Sequence, residues 1–264
     1  MDLQLKDRVA VVTGGGMGIG KAVARELLGE GARVVIAART VARLEAAARE
    51  LHAETGGEVA AIAADTTSTE SVRAMVAAAA DRFGRLDILI NGAAAPSGLV
   101  RNTLAEADPE LLLADLNTKV VGYLRCAQAA EPFFRAGGYG RIINIGGLTG
   151  RSSHALSGMR NLAVVHMTKA LSDQLGPAGI TVNTIHPGVV ETEHIHELYE
   201  KEAARQNLTS AEIEQGFIDR TPIRRVLAAD EIAQLVCFLA SPLAGAITGE
   251  SIGIDGGLTR GIFI

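Results

Sequence analysis

The sequence is poor in the residues that staple small domains together and in the segments that anchor a chain to a membrane. It carries two cysteines in 264 residues, Cys126 and Cys237. Both fall within apolar helical patterns and lack the close spacing of a metal or redox pair, so they read as inert core thiols in a reducing compartment. No apolar run reaches the roughly 18 residues that a membrane helix needs. The opening MDLQLKDRV has no apolar signal core either. A cytoplasmic chain with no membrane contact is expected. Lysine and arginine number 25 against 30 acids, for a net charge of −5, and they are scattered rather than clustered. That argues against nucleic acid as the partner. No internal repeat or low-complexity segment stands out. Glu191, Glu193, His194, His196 and Glu197 have the look of metal ligands, but the His-x-His pair shares no helical face and the spacing fits no zinc motif. No metal is expected.

What the chain does have is hydrophobic material, 48% of the residues, enough for one sizeable core. A single domain over 1–264 is expected. The informative stretch is 9–20, VAVVTGGGMGIG. Val9, Ala10, Val11 and Val12 form an unbroken apolar run of the kind that lies buried on both faces in a parallel sheet. Gly14, Gly18 and Gly20 then permit positive φ or a close backbone approach. The helix predicted over 21–30 points its free N–H groups at that turn, where a pyrophosphate would sit. The spacing G-x-x-x-G-x-G is not the G-x-G-x-x-G fingerprint.

Short apolar strands and helices then alternate. Strands are predicted over 32–38, 59–64, 86–90, 141–145, 180–185 and 250–254. Helices are predicted over 41–55, from a Thr69 cap to Phe83, over 111–134 with Pro132 kinking or ending the segment, from about 159 to 175, and over 230–239. Such alternation means right-handed crossovers between parallel strands, a doubly wound α/β sheet of seven strands with helices on both faces. The polar segment 191–226 follows a strand's carboxyl end and reads as a substrate lid, with a capping box at Thr209 and Glu212.

Taken in order, Thr13-Gly14-x-x-x-Gly18-Ile19-Gly20, Asp65, Asn91-Gly92-Ala93, Asn117, Pro187-Gly188 and Asp255-Gly256-Gly257 resemble the short-chain dehydrogenase/reductase family over essentially the whole chain. The resemblance implies a Rossmann-type fold and a nicotinamide cofactor held by Thr13, Gly14, Gly18, Ile19, Gly20, Asn91 and Gly92. It places Asp65 beside the adenine, although a short carboxylate there could equally form an Asx turn. Pro187, Gly188 and Thr192 resemble the segment that holds the nicotinamide end. After the second strand, where an acid would bind the ribose hydroxyls, stand Ala38 and Arg39. Loss of the acid and gain of a guanidinium favour the 2′-phosphate of NADP, with NAD as the alternative. The resemblance also implies a homotetramer or homodimer packed through the last helix and seventh strand, with the apolar tail 261–264 buried there.

The same family implies a serine, a tyrosine followed four residues later by a lysine, and an asparagine, because a carbonyl that accepts hydride must also accept a proton. The three tyrosines, Tyr123, Tyr139 and Tyr199, are followed at that spacing by Ala127, Ile143 and Ala203. No Tyr-x-x-x-Lys exists. Counting from the flanking strands puts Ser157 at the tyrosine position, Asn161 at the lysine position and Gly147 at the serine position. Asn117 alone matches the expected set. Asn117, Ser157 and Asn161 are therefore the candidate polar groups, and Ser157 has no ionisation near neutral pH with which to deliver a proton. His154 in the loop, and His194, His196 and Tyr199 in the lid, are candidate donors. Tyr139 falls at the wrong end of the sheet, and Tyr123, about 240° round the helix from Asn117, reads as core. Arg160 either binds an anionic substrate group or lines the helix surface. An atypical oxidoreductase acting on a small carbonyl or alcohol is expected. The alternatives are a cofactor-binding protein without turnover, such as a sensor or silent subunit, and a non-redox dehydratase or isomerase on the same scaffold.

Overall fold

Strands made of consecutive apolar residues must bury both faces, and in the computed structural model seven of them do so side by side. Residues 1–95, 103–151 and 155–261 are described. The strands are β1 (Val9–Thr13), β2 (Arg33–Ala38), β3 (Val59–Ala63), β4 (Ile88–Asn91), β5 (Gly140–Ile145), β6 (Ile180–Pro187) and β7 (Ser251–Ile254). They form one sheet in the order β3-β2-β1-β4-β5-β6-β7, and every pairing is parallel. Strand order reverses between β1 and β4, which opens a crevice at their carboxyl ends.

Side chains alternate across the sheet, so each strand feeds two cores. Ala10, Val12, Val34, Ile36, Ile88 and Ile90 pack on one face against α1 (Gly18–Gly29), α2 (Val41–Thr55) and α9 (Ala229–Ala240). Val9, Val11, Val35, Leu89, Ile142 and Val182 pack on the other against α3 (Thr69–Phe83), α5 (Gly122–Gly137) and α6 (Gly158–Leu175). Cys126 and Cys237 are buried, one in each core. No described helix is long and apolar enough to cross a membrane.

Three local details differ from the sequence expectation. Ser68, not Thr69, caps α3, its Oγ accepting from the Ser71 N–H at 3.2 Å. Of the two expectations at Pro132, a kink or an end, the end does not occur: α5 runs on to Gly137, because the fully buried Ala130 and Phe134 pack its last turns onto the core and outweigh one missing N–H. The segment expected as one helix over 111–134 is instead α4 (Pro109–Leu116), capped by Asp108, then a five-residue π turn over Asn117–Val121, then α5. A π turn accommodates an extra residue in a helix, and it changes which side chains face inward.

The polar segment after β6 forms α7 (Glu193–Gln206) and α8 (Ser210–Arg220), the latter opened by the expected capping box of Thr209 and Glu212. This pair has its own small core of Ile195, Tyr199, Ala203 and Ile213. Tyr199 stacks on Phe217 with ring centroids 5.8 Å apart, and its buried hydroxyl meets no hydrogen-bond partner among the described residues. A desolvated hydroxyl without a partner costs stability. Tyr199→Phe should therefore leave the urea midpoint unchanged or raise stability by about 1 kcal/mol; a clear loss of stability would show that the hydroxyl is satisfied.

Candidate active site

A cleft of about 600 Å³ lies at the carboxyl ends of the central strands. Its floor is backbone. Gly14 has φ +73°, and a Cβ there would stand 2.8 Å from the Gly92 carbonyl oxygen, so the β1 and β4 loops close on one another only because that side chain is absent. Thr13 Oγ1 fastens the two, donating to the Ile90 carbonyl and accepting from the N–H groups of Gly92 and Ala93 at 3.1 and 3.3 Å. A Cβ on Gly20 would run into the Gly14 carbonyl oxygen, so α1 also starts close against the turn. No side chain caps α1. Its first N–H groups are left for an anion.

Thr13, Gly14, Gly18, Ile19, Gly20, Arg39, Asp65, Gly92 and Thr192 all line this cleft. Arg43 joins Arg39 there, a second guanidinium missed from the sequence because it lies in the first turn of α2 rather than in the loop. Ala38 ends β2 where a carboxylate would repel a phosphate. A 2′-phosphorylated dinucleotide therefore fits the residues present: small residues under the pyrophosphate, an uncapped helix start, and two arginines with no acid at the ribose end. Asp65 makes the Asx turn, its Oδ1 accepting from the Thr67 N–H and Oγ1 at 2.9 and 2.8 Å, and it also borders the cleft. Those two hydrogen bonds hold its carboxyl below the usual range. Asn91, Pro187 and Gly188 sit behind the lining. The Asn91 amide donates to Asn144 Oδ1 at 2.9 Å, and Gly188 packs against Asp255.

The other half of the cleft differs from expectation. Asn117 does not line it; its Oδ1 accepts from Arg125 Nη2 at 2.9 Å. The π turn brings Lys119 to the cleft wall instead. Ser157 is buried at the start of α6 and is not among the described lining residues. Asn161 is buried behind the wall, where Nδ2 donates to Thr149 Oγ1 at 2.7 Å and Oδ1 accepts from Lys119 Nζ at 2.7 Å. Lys119 also donates to the Gly146 carbonyl at 2.8 Å. Beside it, Arg160 makes a buried ion pair with Asp115 at 2.6 Å and donates to the Ala95 carbonyl. Arg160 thus lines the cleft, with its charge already matched. Burial, reinforced by Arg160 and opposed by Asp115, pulls the Lys119 amine down to about 7. Lys119 was missed because counting from Asn117 assumes an unbroken helix. A lone lysine amid the apolar residues of that segment was the available signal.

Glycine at 147 has a steric cause, since a Cβ there would stand 2.7 Å from Asn161 Nδ2. Behind it, His186 Nδ1 lies 2.9 Å from the Gly147 carbonyl and Nε2 lies 2.9 Å from Ser251 Oγ; burial depresses this imidazole to about 4. Tyr123 borders the cleft but its hydroxyl is committed to the Ile145 carbonyl at 3.1 Å, and burial pushes the phenol well up. Tyr139 lies at the opposite end of β5, its hydroxyl on the Ala240 carbonyl. His194 reaches the rim beside Thr192 and Glu193. His196 is turned to Glu191 at 2.7 Å. No group of three potential metal ligands occurs among the described residues. His154 and the tail residues 262–264 lie outside the described residues.

The enoyl-(acyl carrier protein) reductase family matches residues 14–259. The short-chain reductase protein NovJ of Streptomyces niveus is 34% identical over 96% of this chain and 94% of its own. The NADPH-dependent reductase BacG of Bacillus subtilis is 31% identical over 98% and 100%. Among solved structures, L-sorbose reductase from Gluconobacter frateurii complexed with NADPH and L-sorbose superposes with a TM-score of 0.92 at 30% identity, covering 99% of this chain and 100% of that one. The fold and the glycine-floored cleft are those of a nucleotide-dependent oxidoreductase. The chain belongs to the short-chain dehydrogenase/reductase family.

Two consequences are measurable. Because Lys119 is held near 7 in the folded protein against 10.5 when exposed, the unfolded chain binds the extra proton between those values. Stability should therefore rise with pH from about 7 towards 10.5. In isothermal urea titrations Lys119→Met should abolish that rise. Gly147→Ser should push aside an Asn161 amide already pinned by Thr149 and Lys119, costing about 1–3 kcal/mol in the same assay.

Proposed function

We propose that this protein is an NADPH-dependent reductase that adds hydride to the carbonyl of a small organic substrate. The observation that carries the reading is the paired arginine end of the cleft, Arg39 and Arg43 with Ala38 in place of an acid, opposite a wall that presents a protonatable amine. Reductases using NADPH among the relatives support it. When bound, the cofactor supplies the hydride. The chain's own residues do the rest. The Gly14 turn and the α1 N-terminus take the pyrophosphate, Arg39 and Arg43 take the 2′-phosphate, and Thr192 closes over the glycine turn from the start of α7, its Cγ2 3.5 Å from where a Gly18 Cβ would stand. Arg160, neutralised by Asp115, shapes the substrate end without offering a free charge.

Assembly of copies belongs to the same reading. The apolar face of α9 is spent within the chain against α1, whereas Leu111, Leu113, Val121, Met159 and Leu162 stand exposed on α4, the π turn and α6. These are apolar groups for a second copy to cover.

Fluorescence titration should show NADPH binding at least tenfold tighter than NADH. Arg39→Ala and Arg43→Ala should each weaken NADPH by about tenfold or more while leaving NADH within about twofold, the loss expected for a charge-assisted contact to phosphate. Equal loss for both cofactors would refute the assignment of these residues to the 2′-phosphate.

A further inference from the structure

Asp115, Lys119, Tyr123, Arg160 and Asn161 converge from α4, the π turn, α5 and α6 on one buried cluster at the cleft wall. The cluster contains two basic side chains and one acid. Asp115 is committed to Arg160, so Lys119 is held by neutral acceptors only, the Gly146 carbonyl and Asn161 Oδ1. Asn161 can offer Lys119 only its oxygen, because its nitrogen is spent on Thr149. An ammonium has three N–H bonds. Two are used, the described residues present no acceptor for the third, and Lys119 stands in the cleft wall beside Thr118, Tyr123, Gly146 and Arg160.

We propose that Lys119 is the catalytic acid of this protein, delivering its proton to the substrate oxygen as the carbonyl is reduced. The proposal rests on the reductase reading above. NADPH is the reductant, and its hydride brings the electron pair to the carbonyl carbon. The C=O π pair moves to oxygen, a new O–H bond forms there, and one N–H bond of the Lys119 ammonium breaks. A neutral amine is left, still held by Gly146 and Asn161, and water returns its proton. Among the described residues, three other titratable groups of the cleft are occupied or misplaced. Tyr123 is bonded to a carbonyl, Asp65 belongs to the far end, and His194 sits at the outer rim. Asn161 stands where the family resemblance implies lysine, and here an ammonium from the neighbouring helical segment donates to its amide oxygen.

The charged and titratable groups facing the amine are Asp115 on α4, Arg160 on α6, Tyr123 on α5 and His186 on β6, and the balance of burial and Arg160 over Asp115 leaves it at about 7. An acid with that value exchanges its proton readily near neutral pH.

Two measurements test this, one without turnover. In cofactor-free protein, a lysine 13Cε resonance should titrate with a midpoint near 7 and be missing from Lys119→Met. In the reductive direction, wild-type kcat should fall above that midpoint. Lys119→Met should lower kcat by about 10²- to 10⁴-fold. Its NADPH Kd should stay within about threefold, which also shows the fold intact. Lys119→Arg keeps the charge and the tether but does not release a proton near neutral pH, so its kcat should be as low as that of the Met variant. This variant carries the test should the Met variant not bind NADPH. A midpoint near 10, or kcat within about threefold of wild type in both variants, overturns this proposal alone. NADPH binding without turnover by wild type on any ketone or aldehyde of a broad panel overturns the reductase reading, and this proposal with it.

Discussion

Two basic side chains face a single carboxylate at the cleft wall, and the arrangement of the half of the cleft opposite the arginines follows from that imbalance. In a water-poor interior an unmatched charge is costly, and the protein meets the cost in two ways. Arg160, which cannot shed a proton, takes Asp115. Lys119, which can, is left with a carbonyl and an amide. Both acceptors suit either protonation state of the amine, so the group is positioned whether charged or neutral. Glycine at 147, the Asn161–Thr149 bond and the clamp of His186 between Gly147 and Ser251 are the steric conditions for that positioning.

The cofactor half obeys a different constraint. It is built from backbone brought close, at Gly14 against Gly92 and at Gly20 against Gly14, with side chains contributing mainly at the ribose end. Its exactness comes from the absence of atoms, and the parallel register of β1 between β2 and β4 fixes it rigidly. The two halves thus differ in kind, one set by the sheet and the other by side chains that converge from separate helices.

That difference explains what could be read from the sequence. Buried parallel strands announce themselves as apolar runs, and a glycine turn is contiguous, so the sheet, its helices and most of the cleft lining were legible. Arg39 was legible for the same reason, lying next to a strand end, whereas Arg43 needed the helix drawn in three dimensions. Small errors such as Ser68 against Thr69, or helix α5 passing through Pro132, came from local propensities that tertiary packing outweighs. The other half of the cleft was illegible because Lys119 and Asn161 lie 42 residues apart, and a single change of helical pitch decides which side chains face the cleft. Asn117 was the natural candidate on an unbroken helix; on the real one it pairs with Arg125.

The π turn acts as a phase adjuster on a screw. One additional residue turns everything upstream by about 100° relative to everything downstream, while α5 keeps its grip on the sheet through Cys126, Ala130 and Phe134. Here that phase sets Lys119 in the cleft wall and turns Asn117 to Arg125, while the core contacts of α5 lie below the turn.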